Sequence, residues 1–251
     1  MSEYKDALNG IIKAMSIFSK RLLPYKNWFD ENIDNISLLL SGISNFATWS
    51  AAIDKLAKVQ IVFTDDLNFE FARIINNSND VENEIKHYYF DNSYEKMNNL
   101  IQRCKDSELL QDYASFFYEI MNSYNNEDYQ LACLGLFAII DGLLTDISNL
   151  NKTNYKVRIK TITDKIDKRL PLNQLDRKLL CIYQSINSNE VFNNSILGNA
   201  DLNKKEPDNL NRHWLLHGRT NKKYTRYDCL KIFLWIEALI ILNDNLEKVE
   251  T

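Results

Sequence analysis

Glycine and proline are scarce in this chain, 6 and 3 in 251 residues. Sheets draw on both residues for their turns, so a sheet-rich protein is excluded and an all-α fold is expected. The four cysteines, Cys104, Cys133, Cys181 and Cys229, lie far apart and form no CxxC pair. That spacing argues against a disulfide framework or a zinc cage and for buried thiols in a reducing compartment. Long apolar runs are missing too. The two most apolar stretches, Leu131–Leu144 and Ile232–Leu242, carry Asp141 and Glu237 and fall short of the ~20 residues a bilayer requires. Met1 to Lys20 mixes charges with its apolar positions, unlike a secretory signal. A cytoplasmic protein with no membrane association is expected. The sequence has no Walker A or dinucleotide glycine loop and no GxSxG elbow, which sets those enzyme classes aside.

Helical periodicity fills most of the chain. Tyr4, Leu8, Ile11, Met15, Phe18 and Leu22 recur at spacings of four and three, one apolar stripe ending near Pro24. Further helical patterns cover about 25–46, 49–62, 65–76, 80–104 and 107–124. From Asp128 the texture changes. Tyr129–Ile147 is apolar nearly all round, the mark of a buried helix. Patterns at about 157–167 and 173–188 follow, then an Asn-rich connection over 193–209, and a last helix at about 225–247. A soft boundary near 106 divides a helical N-terminal region, 1–106, from a helical bundle, 107–251. The N-terminal region is either a separate module or an extension of that bundle. The last helix has a wide apolar face (Leu230, Phe233, Leu234, Ile236, Ile240, Ile241) that suits monomer core or a dimer interface.

Charge is uneven. The chain carries a net −4, yet residues 204–226 hold seven basic side chains against two acidic ones. Positive charge gathered on an acidic protein points to a local anion site. Its centre is the string Asn211-Arg-His-Trp-Leu-Leu-His-Gly-Arg219, which contains two of the three histidines. Arginine is a permanently charged fork shaped for phosphate, and histidine exchanges protons near neutral pH. Cleaving RNA by its own 2′-hydroxyl asks for these two groups: a proton taken, a proton given, and charge on the phosphoryl oxygens neutralised. DNA lacks that hydroxyl, so the chemistry implies RNA. A zinc reading of His213-x3-His217 fails because Trp214 stands where the zincin pattern needs Glu. Neither metal nor cofactor is expected.

The candidate catalytic residues are therefore Arg212, His217 and His213, with Asn211 and Asp141 in support. Arg219, Lys222, Lys223 and Arg226 are candidates for RNA phosphates. Asp141 is a lone charge in an apolar run and needs a partner or solvent; orienting Arg212 or a histidine is its functional reading. One motif supplies one Arg212 and one His217, so a two-fold dimer that apposes two motifs would complete the acid and base pair. His87 is read as a packing residue. Trp214, Leu215 and Leu216 are read as core contacts that fix the motif, and Trp28 and Trp49 as core tryptophans. On a regular helix Arg212 and His217, five apart, diverge, whereas His213 and His217 share a face. Gly218 is placed to end a turn there.

The segment Leu210–Arg219, followed by Tyr227-Asp-Cys-Leu-Lys-Ile-Phe-Leu-Trp235, resembles the HEPN superfamily (higher eukaryotes and prokaryotes nucleotide-binding). Its ribonuclease motif is Arg, four to six residues, then His, often with a polar residue after the Arg. Arg212, His213 and His217 match it, and Asp141 matches the acidic residue of the family's early core helix. The resemblance spans about 107–251. It implies a dimeric helical bundle acting as a metal-independent endoribonuclease in toxin–antitoxin or antiphage defence, with an antitoxin or defence-system protein as partner. Members controlled by nucleotide transfer carry Tyr two residues after the His; this chain has Arg219 there, so that control is not implied. The alternative is a non-catalytic HEPN-like module that binds RNA, nucleotide or protein, and a third reading is a helical scaffold without a ligand.

Overall fold

The computed structural model describes residues 36–64, 66–151, 155–169, 182 and 201–247. The stripe over Tyr4–Leu22, Trp28, most of the pattern at 173–188 and Cys181 lie outside the described residues. Within them the protein is all-α, as expected. Its helices are α1 (Ile36–Lys58), α2 (Phe69–Asn77), α3 (Val81–Asp106), α4 (Ala114–Asn125), α5 (Tyr129–Ser148), α6 (Tyr155–Arg169), α7 (Arg212–Leu216) and α8 (Arg226–Glu247), with a 3-10 turn over Glu108–Tyr113.

Local chemistry sets several ends. The Asn68 side chain caps α2 by accepting from Phe71 N–H, and Asp80 caps α3 by accepting from Asn83 N–H; each satisfies an otherwise orphaned donor of the first turn. Two expectations need correction. The break expected between 46 and 49 does not exist, because α1 runs through it; the residues there include Thr48 and Trp49, neither of which prevents helix formation. Conversely α3 is interrupted at 91–94, where Asn92, Ser93 and Tyr94 all adopt left-handed backbone, an arrangement of non-glycine residues that costs about 1–2 kcal/mol each. The Tyr94 ring lies against the Arg226 guanidinium, 4.3 Å from ring centroid to guanidinium carbon.

The centre of the molecule is α5 against α8, with α4 and α6 also on α5 and α3 on α8. Two glycines of α5 face crowded neighbours: a Cβ on Gly135 would meet the Ile120 side chain of α4, and one on Gly142 the Tyr113 ring of the 3-10 turn. Helix α5 reaches 20 residues and is apolar enough to cross a membrane by length and composition alone, yet most of it is buried inside the bundle. The wide face of α8 is monomer core, since Leu230, Phe233, Leu234 and Ile236 are wholly buried. That removes α8 as a dimer interface.

One hydrophobic core runs from Trp49 to Leu246, so the described helices on both sides of residue 106 share it. Polar bridges cross the same line. Arg103 on α3 donates through Nε to Glu237 Oε1 on α8 at 2.5 Å and also pairs with Asp66. Gln60 reaches Leu210, just ahead of the Arg/His motif. Trp49 is a core residue, edge-on to Phe63 at 4.9 Å. His87 is not packed: it lies on the surface, 3.2 Å from the Asp91 carboxylate one turn on.

Candidate functional site

The motif forms its own short helix with a stop written at each end. Asn211 is the N-cap, its side-chain oxygen accepting from Trp214 N–H at 3.2 Å. At the other end Gly218 is left-handed, φ +63. There Gly218 N–H donates to Leu215 O at 3.0 Å and Arg219 N–H to Trp214 O at 3.2 Å. That pair of bonds is the Schellman arrangement, and glycine is the residue that adopts it without Cβ strain. Trp214 and Leu215 anchor α7 in the protein, but Leu216 is 42 % exposed and is not the core contact expected.

Within this frame the two imidazoles come together. The rings of His213 and His217 lie side by side, centroids 4.5 Å apart and planes tilted by 31°. They share a face because His217 caps α7 one turn after His213, its N–H donating to His213 O. Neither ring has a hydrogen-bond partner among the described residues. Burial, then His217, then Arg212 hold His213 below the usual histidine pKa, which favours the neutral form, able to accept a proton.

Arg212 turns the other way, toward α5. Its Nη2 lies 3.2 Å from Asp141 Oδ2, and its side chain remains 23 % exposed. Asp141 also binds Arg158 of α6, a residue that nothing in the local sequence marked. Arg158 Nη2 donates to Asp141 Oδ1 at 2.8 Å, and Nη1 to Asp141 O at 2.8 Å and Thr145 Oγ1 at 2.7 Å. Each carboxylate oxygen of Asp141 therefore faces one guanidinium. Tyr155, buried at the start of α6, is also near enough to Arg212 to feel its charge; burial raises its pKa and Arg212 opposes the rise. The structure thus brings Arg212, His213, His217, Asn211 and Asp141 into one neighbourhood, with no direct bond between Arg212 and either imidazole.

The four flanking cations fare differently. Arg219 donates to Leu202 O at 3.1 Å, and Lys222 to Asn209 O at 2.7 Å. Both brace the 201–211 connection while staying near the surface. The same connection is pinned by Glu206, which accepts from Thr220 Oγ1 and from Asn221 N–H. Lys223 is exposed. Arg226 is enclosed: its guanidinium carbon lies 4.3, 5.7 and 5.8 Å from the rings of Tyr94, Tyr124 and Tyr129, and Nη2 is 3.8 Å from Glu127. Such cation–π contacts strengthen when desolvated, so Arg226 serves the fold.

Among the described residues no three of His, Cys, Asp and Glu gather as metal ligands. Cys133 and Cys229 are buried thiols with Sγ atoms 3.5 Å apart, joining α5 to α8. An open groove lined by Glu70, Arg73, Ile74, Asn77, Ser78 and Glu84 contains none of the motif residues; its two carboxylates against one guanidinium disfavour a polyanion. Compared with known proteins, the chain matches no family model, no curated protein and no solved structure.

Proposed function

We propose that the protein is a metal-independent endoribonuclease of HEPN type, acting in antiphage defence or as a toxin in the cytoplasm. The observation that carries this reading is the adjacent rings of His213 and His217 on one capped turn, whose Arg212 pairs with Asp141 of α5. One neutral imidazole takes the proton from a ribose 2′-hydroxyl as that oxygen attacks phosphorus. The protonated partner gives its proton to the departing 5′-oxygen. Arg212 neutralises the phosphoryl oxygens. The products are a 2′,3′-cyclic phosphate and a 5′-hydroxyl, with no water consumed. Lys223, Arg219 and Lys222 meet flanking phosphates; Arg226 is withdrawn from that set because its charge faces tyrosine rings.

A homodimer remains part of the proposal, on a surface other than α8. Leu131 and Leu134 are exposed and follow helical spacing along the α5 face that leads to Asp141, so a two-fold contact there would bring two motifs near each other. An antitoxin or defence-system protein is the partner that would restrain the activity.

The deciding experiment is cleavage of single-stranded RNA by purified protein in EDTA, with the product ends identified. Cyclic phosphate ends, lost in His217→Ala at unchanged folding, are expected. Binding without turnover, falling with salt, would instead assign the non-catalytic module. Retained cleavage in His217→Ala would remove the histidine from the mechanism.

A further inference from the structure

Among the described residues, Arg158, 3 % exposed, donates three hydrogen bonds to Asp141 and Thr145, whereas Arg212 makes a single, longer contact with the other oxygen of the same carboxylate. Two guanidiniums therefore share one negative charge, and the trio carries a net positive charge of one. Buried and bonded on two sides, Arg158 is tethered in place. Arg212 has one contact to give up and a path to solvent.

We propose that Arg158 is a positioning residue that leaves the positive charge of Arg212 uncompensated toward a phosphate. Asp141 alone would neutralise Arg212 as well as orient it. By occupying Oδ1 and the Asp141 carbonyl, Arg158 fixes the carboxylate rotamer and offsets its charge, so Asp141 orients Arg212 while the charge of Arg212 stays available. An arriving phosphate competes with Asp141 for one guanidinium only, the one at the surface. The inference deepens the nuclease reading, but it requires only that Arg212 meet a phosphate.

Charge arithmetic supplies a test that a merely structural role would fail. Arg158→Met brings the trio to zero, Asp141→Asn to plus two, and the double variant back to plus one. Affinity for inorganic pyrophosphate, read by calorimetry and by the rise in melting temperature, is expected to follow that order. Arg158→Met should bind about tenfold more weakly, and the double variant should recover to within about threefold of the wild type. Asp141→Asn should bind more tightly than the wild type, and Arg158→Lys, which keeps the charge, close to it. An uncleavable RNA with methylated 2′-oxygens should give the same ranking.

A double variant as weak as Arg158→Met would show that Arg158 is only a strut and overturn the inference. So would an Arg212→Met protein that binds pyrophosphate as well as the wild type. If Arg158→Met does not fold, Asp141→Asn and Arg158→Lys against the wild type still decide: failure of Asp141→Asn to bind more tightly overturns the idea. The pyrophosphate ranking without any RNA cleavage would sink the nuclease reading and leave the charge sharing intact.

Discussion

Gln60 and Leu210 are 150 positions apart and hold each other as two amides do in a sheet: Gln60 Nε2 donates to Leu210 O at 2.8 Å, and Leu210 N–H donates to Gln60 Oε1 at 2.9 Å. Gln60 is buried and left-handed, φ +66. The pair fixes the chain at the residue before Asn211, the cap of α7. The turn that follows α1 is therefore joined directly to the residue ahead of the Arg/His helix.

Removing that clamp leaves a buried backbone N–H and C=O unpaired, the costly half of losing a hydrogen bond. Gln60→Ala is expected to lose about 2 kcal/mol of stability. Exchange of the Leu210 amide should accelerate more than that of core α8 amides. Chemical denaturation and amide hydrogen exchange read the two effects separately; equal acceleration throughout would point to global loosening and not to a local clamp.

The left-handed stop at Gly218 has open space where a Cβ would be, so any penalty there comes from backbone conformation. Gly218→Ala should cost about 1–2 kcal/mol, and Gly218→Asn less, because asparagine tolerates the left-handed region. In both proteins RNA cleavage should fall further than stability does, since His217 is the preceding residue. Thermal melts beside initial rates check this.

For the histidine pair the sign of the coupling is fixed. A protonated His217 repels a proton on His213, so its removal should raise the His213 pKa. NMR titration is expected to place His213 below the ordinary histidine midpoint in the wild type and closer to it in His217→Ala. Arg212→Met should move it in the same direction, since Arg212 also lowers it. A downward move in His217→Ala would mean that the rings do not share a field, and one in Arg212→Met that the guanidinium does not act on His213.

Glu237 is buried with its carboxyl above the usual range, raised first by burial and then by Asp66, and held down by Arg103. Because its folded pKa exceeds the unfolded value, the folded state holds the proton more tightly. Its contribution to stability is complete below the unfolded carboxylate pKa and is lost as pH rises through the folded one. Arg103→Met removes the opposing charge, raises that folded pKa further and extends the loss upward in pH. The variant should be about 2–3 kcal/mol less stable at pH 8, with a smaller deficit at pH 5. Denaturant midpoints at the two pH values measure it.

Much of the fold is local in origin and was legible for that reason. Low glycine and proline, with an apolar run for α5 and a wide apolar face for α8, placed both helices to within a residue or two at each end. The ends of α7 were written beside it, in Asn211 and Gly218. The left-handed interruption of α3 carries no glycine to mark it, and α1 crosses an expected break that no helix-breaking residue enforces. Similarly, the exposed Leu216 reads as core only while its neighbours in space are unknown.

The sequence by itself determined that the chain is helical, that its basic charge collects around one turn, and that this turn carries an arginine and two imidazoles with a cap and a stop. Tertiary structure alone decided their partners: Arg158 on Asp141, Gln60 on Leu210, Arg226 among three tyrosines, and α8 in the core. The physical reason is range. Caps and helical faces are set by residues within a turn or two. An ion pair or an amide clamp between distant segments exists only after burial has brought those segments together, and no local pattern encodes which of many similar charges will meet.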